Sequence, residues 1–260
     1  MEISFEDCKL ELLEAANAKC KAAYDEWRQR PGYEEVVRFV EGFTHRRLFD
    51  LSPIDIRKIM RHSGHALGDV RKEEAILSIE NFTCPFALQH IFHNYLEEKG
   101  VVPTWEEFEA YMRQEARGRW LEPLRQTLPS FREVQQLIAE RGREEAWKQV
   151  QRAIRWRLGK FYLSCMRELD LIARLREMGV PLRYHVFADV LLRVDFWTGG
   201  TLACVYFENH LYRNRKRRTE EFFPDHQILH ARIERQGFGK FWVAKDEAIQ
   251  ELAAGLGRSG

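Results

Sequence analysis

The stretch RYHVFADVLLRVDFW, Arg183 to Trp197, followed by LACVYFE, Leu202 to Glu208, decides how this chain is read. Tyr184, Val186, Val190, Leu192 and Val194 are strand formers, as are Leu202, Val205, Tyr206 and Phe207. Gly199-Gly200 between the runs is a hairpin-type turn. Two neighbouring strands are expected, each delivering a carboxylate: Asp195 near the end of the first and Glu208 at the end of the second. Mg²⁺ takes oxygen ligands and is commonly held by one or two carboxylates while keeping several waters. A cationic run, Arg213-Asn-Arg-Lys-Arg-Arg218, follows soon afterwards. An acid pair beside a basic patch points to metal-assisted attack on a phosphodiester.

Upstream, the pattern is helical. Phe5 to about Arg28 carries Leu10, Leu12, Leu13, Ala16, Ala23 and Trp27 at helical spacing, and Arg30-Pro31-Gly32 ends it. Tyr33 to His45 follows. Ser52-Pro53 reads as a cap with proline at the first helical position, and that helix ends near Gly64. Pro85 opens another helix, Thr104-Trp-Glu-Glu107 has capping-box spacing, and Ser130 is expected to cap one more. A long helix spans about Arg143 to Glu177, with Gly159 as a potential interruption and Gly179 and Pro181 marking its end. Beyond the two expected strands, Ile228 to Glu234 and Gly239 to Val243 read as a second pair, and Lys245 to Leu256 as a closing helix. The fold class is α+β: a mainly helical region over residues 1–142, suited to nucleic-acid or partner binding, and an α/β core over 143–260 with a small mixed sheet flanked by helices.

The charges nearly cancel, with 41 Lys and Arg against 40 Asp and Glu for a net +1, so a nucleic-acid role has to rest on local clustering. None of the five cysteines forms a CxxC pair, which argues against a cysteine zinc site and for reduced, mostly buried thiols. The N-terminus is acidic where a secretion signal is basic, and no apolar run approaches the roughly 20 residues that span a bilayer. A cytoplasmic protein with no membrane partner is expected.

Glu168 lies on the long helix just before the strands. The order of helix with Glu168, Asp195, Glu208 and basic segment resembles the core of the PD-(D/E)xK nuclease superfamily, the restriction-endonuclease-like fold, over roughly residues 160 to 255. The resemblance implies that Asp195 and Glu208 hold Mg²⁺, with Glu168 as helper ligand or orienter. It implies a DNA substrate, with RNA as an alternative, and a setting in phage defence or mobile-element processing. One position departs from the family: the lysine expected two residues after the second acid is His210, in Glu208-Asn-His210. His210 shares a strand face with Glu208 and can serve as base or proton shuttle. Lys216 or Arg213 can instead reach in from the next segment. The remaining alternative is a degenerate core that binds nucleic acid or assembles with a partner without cutting.

Each of these residues also has an ordinary structural reading. Asp195 can hydrogen-bond a turn, Glu208 can pair with Arg193 or Arg213, and Glu168 can pair with Arg167 or Arg174. Asp189 competes with Asp195, and both can reach one metal only if the strand bends or ends between them. Arg213, Arg215, Arg217 and Arg218 are candidate phosphate contacts or a solvated tip. Arg152 and Arg155 share a helical face as a second candidate nucleic-acid patch. Trp156 among them is a stacking residue or, more ordinarily, core. His62, His65, His90 and His93 have spacings that can face a metal but lack a third ligand. A purely protein-binding role for the N-terminal helices is the third reading of the whole chain.

Overall fold

The computed structural model of the chain describes residues 1–68, 79, 89–114, 128–207, 218–239 and 241–257. The N-terminal stretch is not one helix from Phe5 to Arg28. A short strand, β1 (Ile3–Ser4), enters α1 (Phe5–Cys8) through a capping box between Ser4 and Asp7. The backbone then widens into a π-type turn over Lys9–Leu13 and breaks before α2 (Ala18–Arg28). Asn17 explains the break: its side chain accepts from the Cys20 N–H, a cap that a helix interior forbids.

Next come α3 (Glu34–Glu41), β2 (Thr44–His45) paired antiparallel with β1, and α4 (Pro53–His62) behind its Ser52 cap. They are followed by α5 (Gln89–Lys99) and α6 (Trp105–Arg113), the latter opened by the expected Thr104–Glu107 capping box. The expected start at Pro85 lies outside the described residues. Ser130 is not the N-cap of the next helix: it sits in a 3-10 turn, and the N-cap of α7 (Arg132–Arg141) is Phe131, which makes no side-chain capping bond.

The long helix, α8 (Arg143–Glu177), runs 35 residues without a break at Gly159. That glycine serves a close approach instead. A Cβ there would lie 2.2 Å from the Ala66 carbonyl oxygen, so α8 passes the loop after α4 at backbone contact distance.

The main correction concerns Arg183 to Trp197, which is not a strand. Arg183 makes one isolated bridge to Trp197, and the chain then winds into a helical turn, π-type over Ala188–Leu192. Arg193 ends the turn with φ 62°. Most of the run is apolar, and Val186, Phe187, Ala188, Leu192 and Val194 are each 0% exposed. A mostly buried run without clean alternation does not let β-branched composition separate strand from helix. Only β3 (Phe196–Thr198) remains of the first expected strand.

β3 pairs antiparallel with β4 (Thr201–Phe207), Trp197 opposite Leu202, through the expected Gly199-Gly200 turn. The strands do not meander further. After α9 (Arg218–Phe222), β5 (Gln227–Ile233) joins β4 in parallel, Leu202 opposite Ile228. The segment between β4 and β5 is long enough to return the chain to the starting end of the sheet, as a parallel pair requires. The residues after β5 do not pair with it. β6 (Arg235–Phe238) and β7 (Phe241–Ala244) form their own antiparallel hairpin, and α10 (Asp246–Gly257) closes the chain.

The class is α+β, with helices around small sheets, one of them mixed. One hydrophobic core runs from Ile3 to Leu256 and draws on both sides of residue 142, with Tyr162, Met166, Leu169, Ile172 and Leu175 of α8 along it. A smaller cluster of Ile79, Leu128, Val134, Val150 and Ala153 sits against the first half of α8. Trp156 is buried, with the Lys160 ammonium 4.3 Å from its ring centroid, so it packs rather than offering a free stacking face. Cys8, Cys20, Cys165 and Cys204 are buried free thiols. Among the described residues no helix is long and apolar enough to cross a membrane.

Candidate acid site

Three carboxylates from separate elements converge where the second half of α8 passes the β3–β4 hairpin. Asp195 is fixed by β4: its N–H donates to the Ala203 carbonyl at 3.0 Å, and its carboxylate accepts from the Val205 N–H. Asp189 is brought to it by the helical turn. On a straight strand the two would stand about 20 Å apart. The π-type turn and the left-handed Arg193 fold the chain back instead, and the Asp189 and Asp195 side chains share a hydrogen bond. Glu168 of α8 completes the group, close enough for both aspartates to act on its charge.

Two neutral side chains hold these acids. The Gln89 amide donates to Asp189 and also bonds Glu168. The Tyr184 hydroxyl bonds Glu168 and lies 2.8 Å from His93 Nε2. One Glu168 oxygen, Oε1, is enclosed without a hydrogen-bond partner. Burial and the two neighbouring aspartates push Glu168 well above the usual carboxylate range. Burial pushes Asp189 up to about 6, against the pull of the Gln89 hydrogen bond and the Arg193 charge. Both acids therefore hold protons far more tightly than ordinary carboxylates, as expected where like charges crowd in a poorly solvated site.

Below the acids lies a buried layer of histidines. His45 packs against His93 at 4.9 Å and against His185 at 5.0 Å between ring centroids. His45 Nε2 accepts from the Val186 N–H at 3.0 Å, and His185 Nδ1 accepts from the Phe187 N–H at 3.1 Å. These are the first free N–H groups of the turn that carries Asp189, so the two rings act as its N-terminal caps. Burial holds His45 well below its ordinary value, His93 at about 3 and His185 at about 4, which keeps all three neutral and leaves His45 and His185 free to accept. His90 is likewise buried and pushed down to about 3. His62 and His65 sit apart, at the end of α4 and in the loop beyond it, and His65 pairs with Glu106.

The structure thus brings Glu168 and Asp195 together and adds Asp189. Glu208, His210, Arg213, Arg215, Lys216 and Arg217 lie outside the described residues; Glu208 is the next residue after Phe207, the last of β4. Arg218 opens α9. Arg174 does not pair with Glu168 but serves Asp170 and Asp246. Arg167 packs its guanidinium 5.7 Å from the Phe207 ring, and burial and the charge of Arg235 push its pKa down. Arg152 and Arg155 lie ~20 Å from Glu168 along the helix axis. They line a cavity of about 740 Å³ with Trp147, Met112 and Leu158 and do not reach the acids. Gln89, Tyr184 and the histidine caps were not legible as site residues, because nothing in their local spacing connects them to Glu168.

Among the described residues no set of three His, Cys, Asp or Glu side chains is arranged as a ready metal site. The donor chemistry is of the kind a hard cation takes: carboxylate oxygens from separate elements, one of them enclosed and unpartnered. No family model, no curated protein and no solved structure matches the chain.

Proposed function

We propose that the chain is a Mg²⁺-dependent nuclease of the PD-(D/E)xK kind that cleaves DNA at the Glu168–Asp189–Asp195 site. The observation that carries this reading is the convergence of three acids, in which the Asp189 and Asp195 side chains share a hydrogen bond and both press on the charge of Glu168. The element order supports it: a helix bearing Glu168, an antiparallel hairpin with Asp195 at its entry, a crossover, and a strand parallel to the second hairpin strand. In this reading Asp195 and Glu208 hold the ion, Asp189 or Glu168 completes the oxygen set, and His210, Lys216 or Arg213 handles the proton or the developing charge. Bound Mg²⁺ would lower the pKa of a water and stabilise negative charge on the phosphate. The side chains do the rest: Asp195 is held in place by the β4 backbone, and Tyr184 and Gln89 fix the orientation of Glu168 and Asp189. Cytoplasmic phage defence or mobile-element processing, with a protein partner on the N-terminal helices, belongs to the same proposal.

The test is cleavage of linear and supercoiled DNA with and without Mg²⁺, by the wild type and by Asp195→Ala. Metal-dependent cutting that the variant loses by at least about a thousandfold supports the reading; undiminished cutting in the variant overturns it. The second reading is a degenerate core that binds without cutting. His210 in the lysine position favours it. Calorimetric Mg²⁺ binding without cleavage of DNA or RNA would select it.

A further inference from the structure

The β6–β7 hairpin carries a surface that the acid site does not use. Strand alternation divides it into two faces. The inner face is anchored: Phe241 and Val243 are buried, and the guanidiniums of Arg57 and Arg61 on α4 lie 5.7 and 5.3 Å from the Phe238 ring. On the outer face stands Trp242, 47% exposed, the only large aromatic exposed to that degree among the described residues. Its cross-strand neighbour is Gly237, which brings no side chain of its own against the indole and where a Cβ would meet nothing within 4 Å. Arg235, diagonal to it on the same face, lays its guanidinium 4.9 Å from the ring centroid. A flat π surface backed by a cation, on a hairpin made rigid from behind, is what an unpaired base stacks on.

Its place in the fold ties the surface to the acids. Arg235 follows β5 by two residues, and β5 runs parallel to β4 with Ile233 opposite Phe207. The platform therefore begins at the same end of the sheet at which β4 ends. Arg167 lies between, packed on Phe207 and sensing the Arg235 charge. Arg235 and Arg167 thus place positive charge at the end of the sheet next to the acid group.

Resting on the nuclease reading, we propose that Trp242 and Arg235 form a stacking platform for an unpaired base of single-stranded DNA entering the acid site. Duplex DNA keeps its base faces stacked on one another and gains little from such a ring, so the platform prefers a single strand, a frayed end or a flap. The test is fluorescence anisotropy of a labelled dT oligomer and of a blunt duplex of equal length, with chelator present. No cleavage occurs under those conditions and the acids need no metal, so the outcome is independent of whether the acid site cuts. Trp242→Ala is expected to weaken dT binding by roughly five- to a hundredfold. Trp242→Phe keeps a π face and is expected to retain most of the affinity, which also controls for folding. Duplex binding by both variants should stay within about twofold of the wild type. Equal dT affinity in wild type and Trp242→Ala overturns the proposal. So does an equal loss on duplex, which marks a general charged surface. A shift from dimer to monomer on Trp242→Ala, with dT binding unchanged, overturns it in favour of a contact between two copies of the chain.

Discussion

Asp170 and Glu168 stand two residues apart on α8, and their surroundings are opposite. Helical geometry turns them roughly 200° from one another, so they face different partners. Asp170 is 1% exposed and neutralised: Arg57 grips both its oxygens, at 2.7 and 3.3 Å, and Arg174 stands 3.8 Å away. Glu168 faces two aspartates and keeps an enclosed oxygen without a partner. A protein that only needed to bury a carboxylate shows beside Asp170 how it does so. Burial and the two aspartates raise Glu168, and no arginine or lysine is among the groups that act most strongly on it. Such crowding persists where the charge is put to use, and that is why the acid site carries the functional argument while the Asp170 pair carries none.

The sharpest way to break the comparison is to neutralise each acid in turn. Asp170→Asn removes the carboxylate that Arg57 grips with both nitrogens and leaves that guanidinium poorly compensated, while Arg174 keeps Asp246. We expect a loss of about 3 to 4 kcal/mol in urea unfolding, the cost typical of breaking a buried pair from one side. Glu168→Gln is expected to act in the other direction. The folded chain holds the Glu168 proton at pH values where the unfolded chain, near 4.5, releases it, so wild-type stability falls as pH rises above that value. The glutamine removes this term. At pH 7 the variant should be more stable than the wild type, and the difference should shrink as the pH falls toward 4. Matching losses in both variants would erase the distinction between the two acids. The proposed ion adds an independent check. Mg²⁺ should raise the thermal midpoint of the wild type more at pH 8 than at pH 6, because binding displaces protons, and it should raise that of Glu168→Gln less.

How much of this was legible depended on whether the signal was local. The bounds of α8, the Thr104–Glu107 capping box and the Gly199-Gly200 turn were readable because each rests on neighbours along the chain. The α+β class followed from those. The helical turn that carries Asp189 was hidden because its apolar run has no period, and its caps come from a residue 141 positions away in the case of His45. The meeting of Asp189 with Asp195 was hidden for a second reason. It needs a left-handed backbone at Arg193, a non-glycine that the sequence does not mark. That conformation is held from outside: the Arg193 carbonyl accepts from the Thr219 hydroxyl at 2.7 Å and from the Cys204 thiol at 3.3 Å. Glu168 and Asp195 could be marked as candidate acids from the sequence; the geometry that brings them together could not.

Asp189 sharpens the comparison at a defined pH. Its proton leaves near 3.8 in the unfolded chain and near about 6 in the folded one. A raised acid costs nothing below the lower value, its cost grows between the two, and it stays constant above the higher. Asp189→Asn should therefore flatten the fall in wild-type stability between about pH 4 and 6, by roughly 2 kcal/mol. An unchanged slope in that window would place the proton elsewhere in the group.

The smallest effect belongs to the contact that orients Glu168 from below. Tyr184→Phe keeps the ring in its buried place and removes only the oxygen shared by Glu168 and His93. The hydroxyl bonds the charged form of Glu168, which is the form a cation requires. Its loss strands the His93 nitrogen and lets the carboxylate swing. We expect a stability change of about 1 kcal/mol, near the net value of one hydrogen bond whose partner is left unsatisfied. The informative readout is different: the pH midpoint of Mg²⁺ binding should move upward, because the hydroxyl no longer helps Glu168 give up its proton. A merely structural tyrosine would lower stability and leave that midpoint where it was. The two readouts together decide whether Tyr184 supports the core, as its burial alone implies, or holds the acid ready for its ion.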